Sequence, residues 1–496
     1  MLKDIILNTP LDVQPPSLQP PQPPKREVVI SGTALLFGRQ IISLILKFIG
    51  LLVITRMLAP EHYGVYSAAF SIYSYVLAIG FAGVSVYLLR QPGALPDIHY
   101  RTASTMLFVF SITIVVLFML CSDILARYVG LEGFGHVFIL LLMALPFQIM
   151  TSPPMVYLER NFDYRSVAFI EIIGQLVYYA IIIPFLIYGA SITALAWGWI
   201  AQHVVCFVIV HVRAKRAPMF GWNSGVCRLI LSYSLPFSIS NWIWQLRILI
   251  LPLIVAPTIG AHATGLVAMV IGLLTMLGIV NSVIWRVSVA SLAHFQHDAS
   301  TMCRTIREGM EANTLIVGIL ILGFSWFGGW IVPFVFGAKW LPILDIYPYI
   351  AVSCLTTAMF NMHSAALSVV HRNSFMAYYH VVHIALFAGA AFIFVPMFGM
   401  KGYGLGELAA VPSVLIVAFF VKRTFGSIQY RCALLWWGAT VIGLFWRELE
   451  VLGFGKWAIA VPLIVLALPV SWPSLNAYWH TLIKMLKRKI IPFDKG

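Results

Sequence analysis

Time after time this chain runs for about 20 residues with almost no charge, the length a helix needs to cross a bilayer. The first such run is 33–55. Thirteen more lie near 65–89, 102–122, 134–156, 166–188, 191–212, 229–256, 262–285, 309–332, 343–369, 375–397, 402–421, 432–449 and 455–473. Inside the hydrocarbon core, backbone amides and carbonyls have no water to bind, so only helices or closed barrels can span it. Barrel strands alternate apolar and polar residues and leave no long apolar runs. Composition agrees. Of 496 residues, 60% are hydrophobic and only 10% charged, with a mean hydropathy of +0.91, too little charge to cover a soluble protein of this length. The expected fold is an all-α polytopic membrane protein of about 14 transmembrane helices. Ahead of the first run, 10–24 is a Pro/Gln stretch that reads as a disordered or polyproline tail, and no cleavable signal peptide precedes it.

Loop charges set the orientation. On the side of the N-terminus fall 23 Lys and Arg residues, against 6 on the other side; Arg39, Lys47 and Arg247 lie within spans and complete the 32. This split predicts cytoplasmic termini, with 213–228 and 286–308 inside. It also accounts for most of the formal charge of +14 as topology signal. The outer loops are all short, which leaves no room for the catalytic loop of a membrane glycosyltransferase or polymerase. The six cysteines are scattered without a CxxC pair and read as small buried hydrophobes. No cofactor, metal site or catalytic constellation is expected.

The three cations inside spans escape the topology explanation. A charge at mid-membrane costs roughly 3 kcal/mol on insertion scales, so it is kept for a partner or a wet cavity. Arg39, Ser43 and Lys47 follow one another at i, i+4, i+8 and form one polar stripe on the first span. Arg39 could instead snorkel to the inner interface; Lys47 is too deep for that. In the seventh span, Ser240, Trp244 and Arg247 share a face, and a guanidinium there can hold two phosphate oxygens while Trp244 offers a plate for a sugar ring. The plainer reading of Arg247 is a pair with a carboxylate such as Glu171. Pro252 and Pro257 predict a bend after it. Residue by residue, then, the chain reads as a transporter with a cationic cavity and an anionic cargo.

The chain also repeats itself. The segment from Leu58, LAPEHYGVYSA, aligns with that from Ile259, IGAHATGLVAM, at an offset of 201, placing Gly64 opposite Gly265. LERNF at 158–162 has an echo in VHRNSF at 370–375. Six spans separate equivalent points, and an even number preserves direction. The halves are therefore parallel repeats about an axis normal to the membrane, enclosing a central cavity. The expected organisation is a Pro-rich tail (1–32), a six-helix bundle (33–212), a cytoplasmic linker (213–228), a second six-helix bundle (229–424), two peripheral helices (425–475) and a basic tail (476–496).

The segment from Thr55, TRMLAPEHYGVY, resembles the R-x-L-x-P-x-x-Y-G-x-Y signature of polysaccharide flippases, the Wzx and polysaccharide-transporter branch of the multidrug/oligosaccharidyl-lipid/polysaccharide (MOP) exporter superfamily. GFAGVSVYLLR at 80–90 and LERNFDYR at 158–165 resemble further stretches of the colanic-acid-exporter type. The resemblance is dense over 33–175, thinner over 225–290 and only topological beyond about 400. It implies a MOP/MATE-like fold of two six-helix bundles. It further implies a protein of the bacterial inner membrane that moves an undecaprenyl-pyrophosphate-linked oligosaccharide to the periplasmic leaflet, by alternating access with ion antiport. The polymerase and the chain-length and export proteins of the same pathway are the implied partners, with membrane lipids and no nucleic acid. The cavity would open laterally near the first and eighth spans. The Pro-rich tail is unusual for the family, and the second-half turn lacks the Arg and Pro of the first.

On that reading the substrate-binding candidates are Arg39, Lys47, Arg247, Arg286, Tyr73 and Trp244. Arg286 would grip a phosphate at the cytoplasmic mouth or merely anchor its helix. Tyr73, at mid-depth, would contact sugar or pack, while Tyr66 and Tyr87 fit an interfacial belt. Glu171 and Glu407 are candidates to carry a coupling ion, or else partners for a buried cation. His203, His363 and His383 read as packing residues, and Gly80 and Gly83 as points of close helix approach. A multidrug exporter of the same superfamily would need carboxylates for a cationic cargo, and a lipid II flippase is a further relative of the leading reading.

Overall fold

The computed structural model describes residues 26–468, apart from 190–191, 217–218, 279–280, 371 and all but 285, 289 and 292 of 282–297. The Pro-rich and basic tails and Arg286 lie outside the described residues. Among the described residues every regular element is helical. Eleven helices are long and apolar enough to cross a membrane, and two shorter apolar helices follow. The chain is a multi-pass membrane protein.

The first lobe comprises α1 (Arg26–Met57), α2 (Pro60–Phe81), α3 (Val84–Arg90), α4 (Asp97–Leu120), α5 (Ser122–Val129), α6 (Phe134–Met150), α7 (Ser152–Arg160), α8 (Tyr164–Ile187) and α9 (Thr193–Ala214). Pro60 opens α2, where its missing N–H costs nothing. Gly83 breaks that crossing with a φ of 69°, and α3 resumes it. Arg160, at the end of α7, donates to the carbonyls of Leu88, Leu89, Gln91 and Gly93. Those oxygens belong to the end of α3 and the turn after it, where helix carbonyls lack internal partners. The arginine of the LERNF motif is therefore a clamp on the inner end of the lobe.

The second lobe begins with α10 (Ser224–Gln245), continues as a 3₁₀ turn (Leu246–Leu249) and a π turn (Leu251–Val255), and enters α11 (Ala256–Leu277). The bend expected from Pro252 is this change of helical pitch. Gly260 then takes φ 75°, ψ 179° and interrupts α11. Before it, Trp242 donates its indole N–H to the carbonyl of Ala78, 18 residues into α2. After it, His262 and Gly265 lie beside Glu61 and Gly64 at the start of α2. The chain thus runs antiparallel to α2 before Gly260 and parallel after it, so the single 40-residue apolar segment Ser238–Leu277 holds two crossings. Then come α12 (Ala299–Val335), a 3₁₀ helix (Ala338–Asp345), α13 (Tyr347–Val369), α14 (Asn373–Phe398), α15 (Met400–Ala410) and α16 (Val414–Phe425). The last pair, α17 (Arg431–Leu444) and α19 (Gly455–Ala467), with short α18 (Trp446–Val451) between, packs on α12: Trp326 and Ser325 donate to the carbonyls of Gly443 and Leu444.

The lobes meet most closely at the repeat itself. A Cβ on Gly64 would strike the carbonyl oxygen of Ala261, and one on Gly265 the carbonyl oxygen of Pro60. Without a hydrophobic drive between helices in lipid, such small-residue crossings are how backbones approach and pack. Glu61 and His262, also 201 apart, pair at 2.7 Å beside the crossing. Around them, at the end that the loop charges assign to the outside, Trp340 donates to the Thr55 carbonyl at 2.9 Å and stands edge-on to Tyr63. Arg56 donates to the carbonyls of Phe334 and Val335, and Tyr128 to that of Leu253. The residues of the R-x-L-x-P-x-x-Y-G-x-Y stretch thus build the closure of the outer end. Tyr66 and Tyr87 do not form an interfacial belt: both are buried, Tyr66 stacked on Phe70 and Tyr87 hydrogen-bonded to His99.

Candidate functional site

Below the closed end each lobe contains a polar cavity. That of the first lobe measures about 490 Å³ and occupies its inner half, between α6, α7, α8 and α9. Gln148, Gln175 and Gln202 line it together with Glu159, Glu171 and His203. That of the second lobe, about 220 Å³, is lined by Arg247, Asn281, Ser353, Thr357 and Glu407 among others.

The polar stripe of the first span turns inward for two of its three members. Arg39 is ion-paired with Glu171, and Ser43 accepts a hydrogen bond from Gln175 at 2.6 Å. Both partners also stand at i, i+4, so α1 and α8 are joined by two successive polar rungs. Two turns further along α1 and one along α8 the contact becomes steric, because a Cβ on Gly50 would strike the Tyr179 ring. Lys47 is different. It is exposed, makes no ion pair or hydrogen bond among the described residues, and lies near enough to Glu171 for its charge to act there.

In the second lobe Arg247 pairs with Glu407 at 3.2 Å, and Glu407 is 1% exposed. Arg247 thus both lines the cavity and has a carboxylate partner; the carboxylate is Glu407 and not Glu171, which belongs to the other lobe and is taken by Arg39. The second Glu407 oxygen accepts from Ser353 at 2.7 Å. A buried carboxylate is retained here because a guanidinium and a hydroxyl both satisfy it. The Arg247 guanidinium also lies over the Trp244 ring, 4.8 Å from its centroid, and His380 and His383 of α14 pack on the same indole at 4.8 and 5.6 Å. Trp244 is therefore part of an aromatic cluster rather than a bare plate.

Tyr73 lies outside the linings of these two cavities. It is 0% exposed, donates to Gln148 and packs edge-on to Trp199, the packing alternative of its two readings. His363 and His383 are buried and hydrogen-bonded to Tyr430 and Ser413, whereas His203 lines the first cavity and its Nε2 has no partner among the described residues. Gly83 admits Ser234 and Ser238 of α10 against its backbone, and a Cβ on Gly80 would meet Ile149. A search led by charge passes over the three glutamines of the first cavity. The signal was there all the same: each is a polar side chain within a span, Gln148 in an apolar stretch, Gln175 one turn after Glu171 and Gln202 beside His203.

Two lobes related by a parallel repeat, each holding a polar cavity beneath a shared closure, define a transporter-type fold, and solved structures agree. The lipid II flippase MurJ in its inward closed conformation superposes with a TM-score of 0.67 at 12% identity, over 92% of this chain and 100% of that one. An inward-facing multidrug resistance MATE family transporter of the MOP superfamily gives 0.60 at 14%, over 77% and 95%. An outward-facing conformation of such a MATE transporter gives 0.53 at 16%, over 80% and 96%. All three are transporters or a flippase, and at these identities they establish the fold alone, one that this chain shares with MurJ and with a MATE transporter of the MOP superfamily. The family described as "Polysaccharide biosynthesis protein" matches residues 53–345, more than half of the chain, and the protein belongs to it. No curated protein sequence matches the chain.

Proposed function

We propose that this protein is a flippase of the bacterial inner membrane, with cytoplasmic termini. Its cargo is an undecaprenyl-pyrophosphate-linked oligosaccharide, carried to the periplasmic leaflet for exopolysaccharide or O-antigen synthesis. The observation that carries the reading is the closure built from the repeat's own residues, Gly64 on Gly265 and Glu61 on His262, above a polar cavity in each lobe. Rocking of two parallel lobes about that crossing would expose the cavities to either side in turn. Lys47, exposed and unpaired, is positioned to attract the pyrophosphate. Arg247 keeps further N–H donors beyond the one on Glu407, so a phosphate can compete for it in bidentate fashion. A proton arriving on Glu407 would release Arg247 to the cargo, and one on Glu171 would loosen the Arg39 rung between α1 and α8, which couples ion movement to binding and to the lobe. The polyprenyl tail stays in lipid while the head crosses. The flank expected to open, between α1 and the inner part of α11, continues into 279–297, mostly outside the described residues.

Glu159 and Glu171 in the first cavity favour a second reading, a multidrug exporter of cationic compounds. Reconstitution decides between the two. Proteoliposomes receive a lipid-linked oligosaccharide carrying a fluorophore that a membrane-impermeant reductant quenches. Flipping changes the quenchable fraction. An unchanged fraction, together with transport of a cationic dye, refutes the flippase and supports the exporter.

A further inference from the structure

The first-lobe cavity has a chemistry of its own. Three helices each send a glutamine into it: Gln148 from α6, Gln175 from α8 and Gln202 from α9. A primary amide carries both donors and acceptors, as a sugar hydroxyl does, so amides match hydroxyls in either direction. Among the described residues, two polar atoms of the lining side chains are buried without a partner: the side-chain oxygen of Gln175 and Nε2 of His203, whose residue is 8% exposed. Unsatisfied buried polar atoms are rare, and a small rotation of either side chain would turn its free atom toward the cavity, where a ligand's hydroxyl can satisfy it. Phe81 supplies an apolar wall. The volume, about 490 Å³, falls within the range of small-molecule sites.

Charge excludes the anionic end of a lipid-linked sugar. Beside His203 and the thiol of Cys206, the ionisable groups lining the cavity are Glu159 and Glu171; Arg39 stands behind Glu171 and is consumed by it. A pyrophosphate placed among these carboxylates would be repelled, whereas sugar hydroxyls donate to them readily. Lys47, on the neighbouring face of α1, lies outside the lining set.

We propose that this cavity is the seat of the glycan: a site for uncharged or amino-bearing sugar rings, separate from the place of the pyrophosphate. The inference rests on the flippase reading and divides the cargo between two sites. Carboxylated sugars are disfavoured there for the same reason as phosphate.

The test uses the full-length protein in nanodiscs and two probes. One is the lipid-linked oligosaccharide extracted from cells that make the polymer; the other is undecaprenyl pyrophosphate without sugar. For Gln202→Ala and Gln175→Ala, retention of the glycan-bearing lipid is expected to fall about tenfold, the weight of one buried hydrogen bond. Retention of the bare lipid should be unchanged, which also shows that the variants are folded. Lys47→Ala should weaken both probes alike. Glutamine variants that leave both affinities intact, or lower both equally, overturn the glycan seat. If the wild-type protein retains neither probe, the flippase reading itself fails, and the two failures are thereby distinguished.

Discussion

Replacing Gly265 with alanine should unlatch the outer end. The added Cβ would overlap the main-chain oxygen of Pro60, and the nearest neighbours beyond it, Pro60 C and Gly64 N, are also backbone, so no rotamer change relieves the clash. Overpacking typically costs about 1–3 kcal/mol, and a backbone obstacle places this case at the upper end. Alanine also favours a helix over glycine by about 1 kcal/mol. That gain applies equally to the closed and open states of a helix intact in both, so it cancels in their ratio. About 3 kcal/mol against the closed state is roughly a hundredfold shift toward opening. Thr55 is the reporter, being 0% exposed beneath the closure with its carbonyl held by Trp340. In a background with the six native cysteines replaced by serine, Thr55→Cys should resist an impermeant maleimide added from outside. Combined with Gly265→Ala it should label rapidly, and transport should fall. Gly309→Ala is the control, since the nearest atoms to its Cβ all belong to the Met362 side chain, 2.6 Å away at the terminal methyl, and a flexible side chain can swing aside where backbone cannot. Equal labelling rates for Gly265→Ala and its parent would refute the account of the crossing.

Lys47→Ala should abolish export at wild-type abundance, because an exposed, unpaired lysine leaves nothing stranded, and Lys47→Arg should keep part of the activity; normal export by the alanine variant would remove Lys47 from the mechanism. Arg247→Ala should do more, leaving Glu407 buried and uncompensated at a cost of about 3–5 kcal/mol, read as a lowered melting temperature in detergent. Pairing it with Glu407→Gln should recover much of that stability, and failure to do so would deny that the lost pair is the cause. Arg160→Ala should cost about 3 kcal/mol through the carbonyls it clamps, and Arg160→Lys should not rescue it, since one ammonium cannot reproduce the guanidinium fork. Reporter fusions at Arg216 and Lys339 should fall on opposite sides of the membrane; the same side would break the span assignment.

The sequence carried the architecture where a pattern had one physical solution. The offset of 201 named Gly64 and Gly265 as equivalents, and the fold sets them against each other at the lobe interface. Pro252 announced the irregular turn after Arg247. Partner choice was less legible, since two carboxylates in spans were open to Arg247 and only the assignment of α8 and α15 to different lobes separates them. Depth alone left Tyr73 open between sugar contact and packing. Tyr73 sits at mid-membrane on the face of a helix that happens to pack on α6, and nothing in a 3.6-residue period distinguishes a neighbour from a cavity. The first cavity escaped for the opposite reason, because its amides carry no charge and its walls come from helices far apart in the chain.

The central claim is the direction and nature of the cargo, and leaflet-specific labelling of the lipid-linked repeat unit in a strain lacking this protein tests it most directly. The account predicts complete repeat units accumulating on the cytoplasmic face, with sugar-nucleotide synthesis and repeat-unit assembly intact and little or no surface polymer. Complete units on the periplasmic face of the deletion strain would contradict it and move the block to polymerisation.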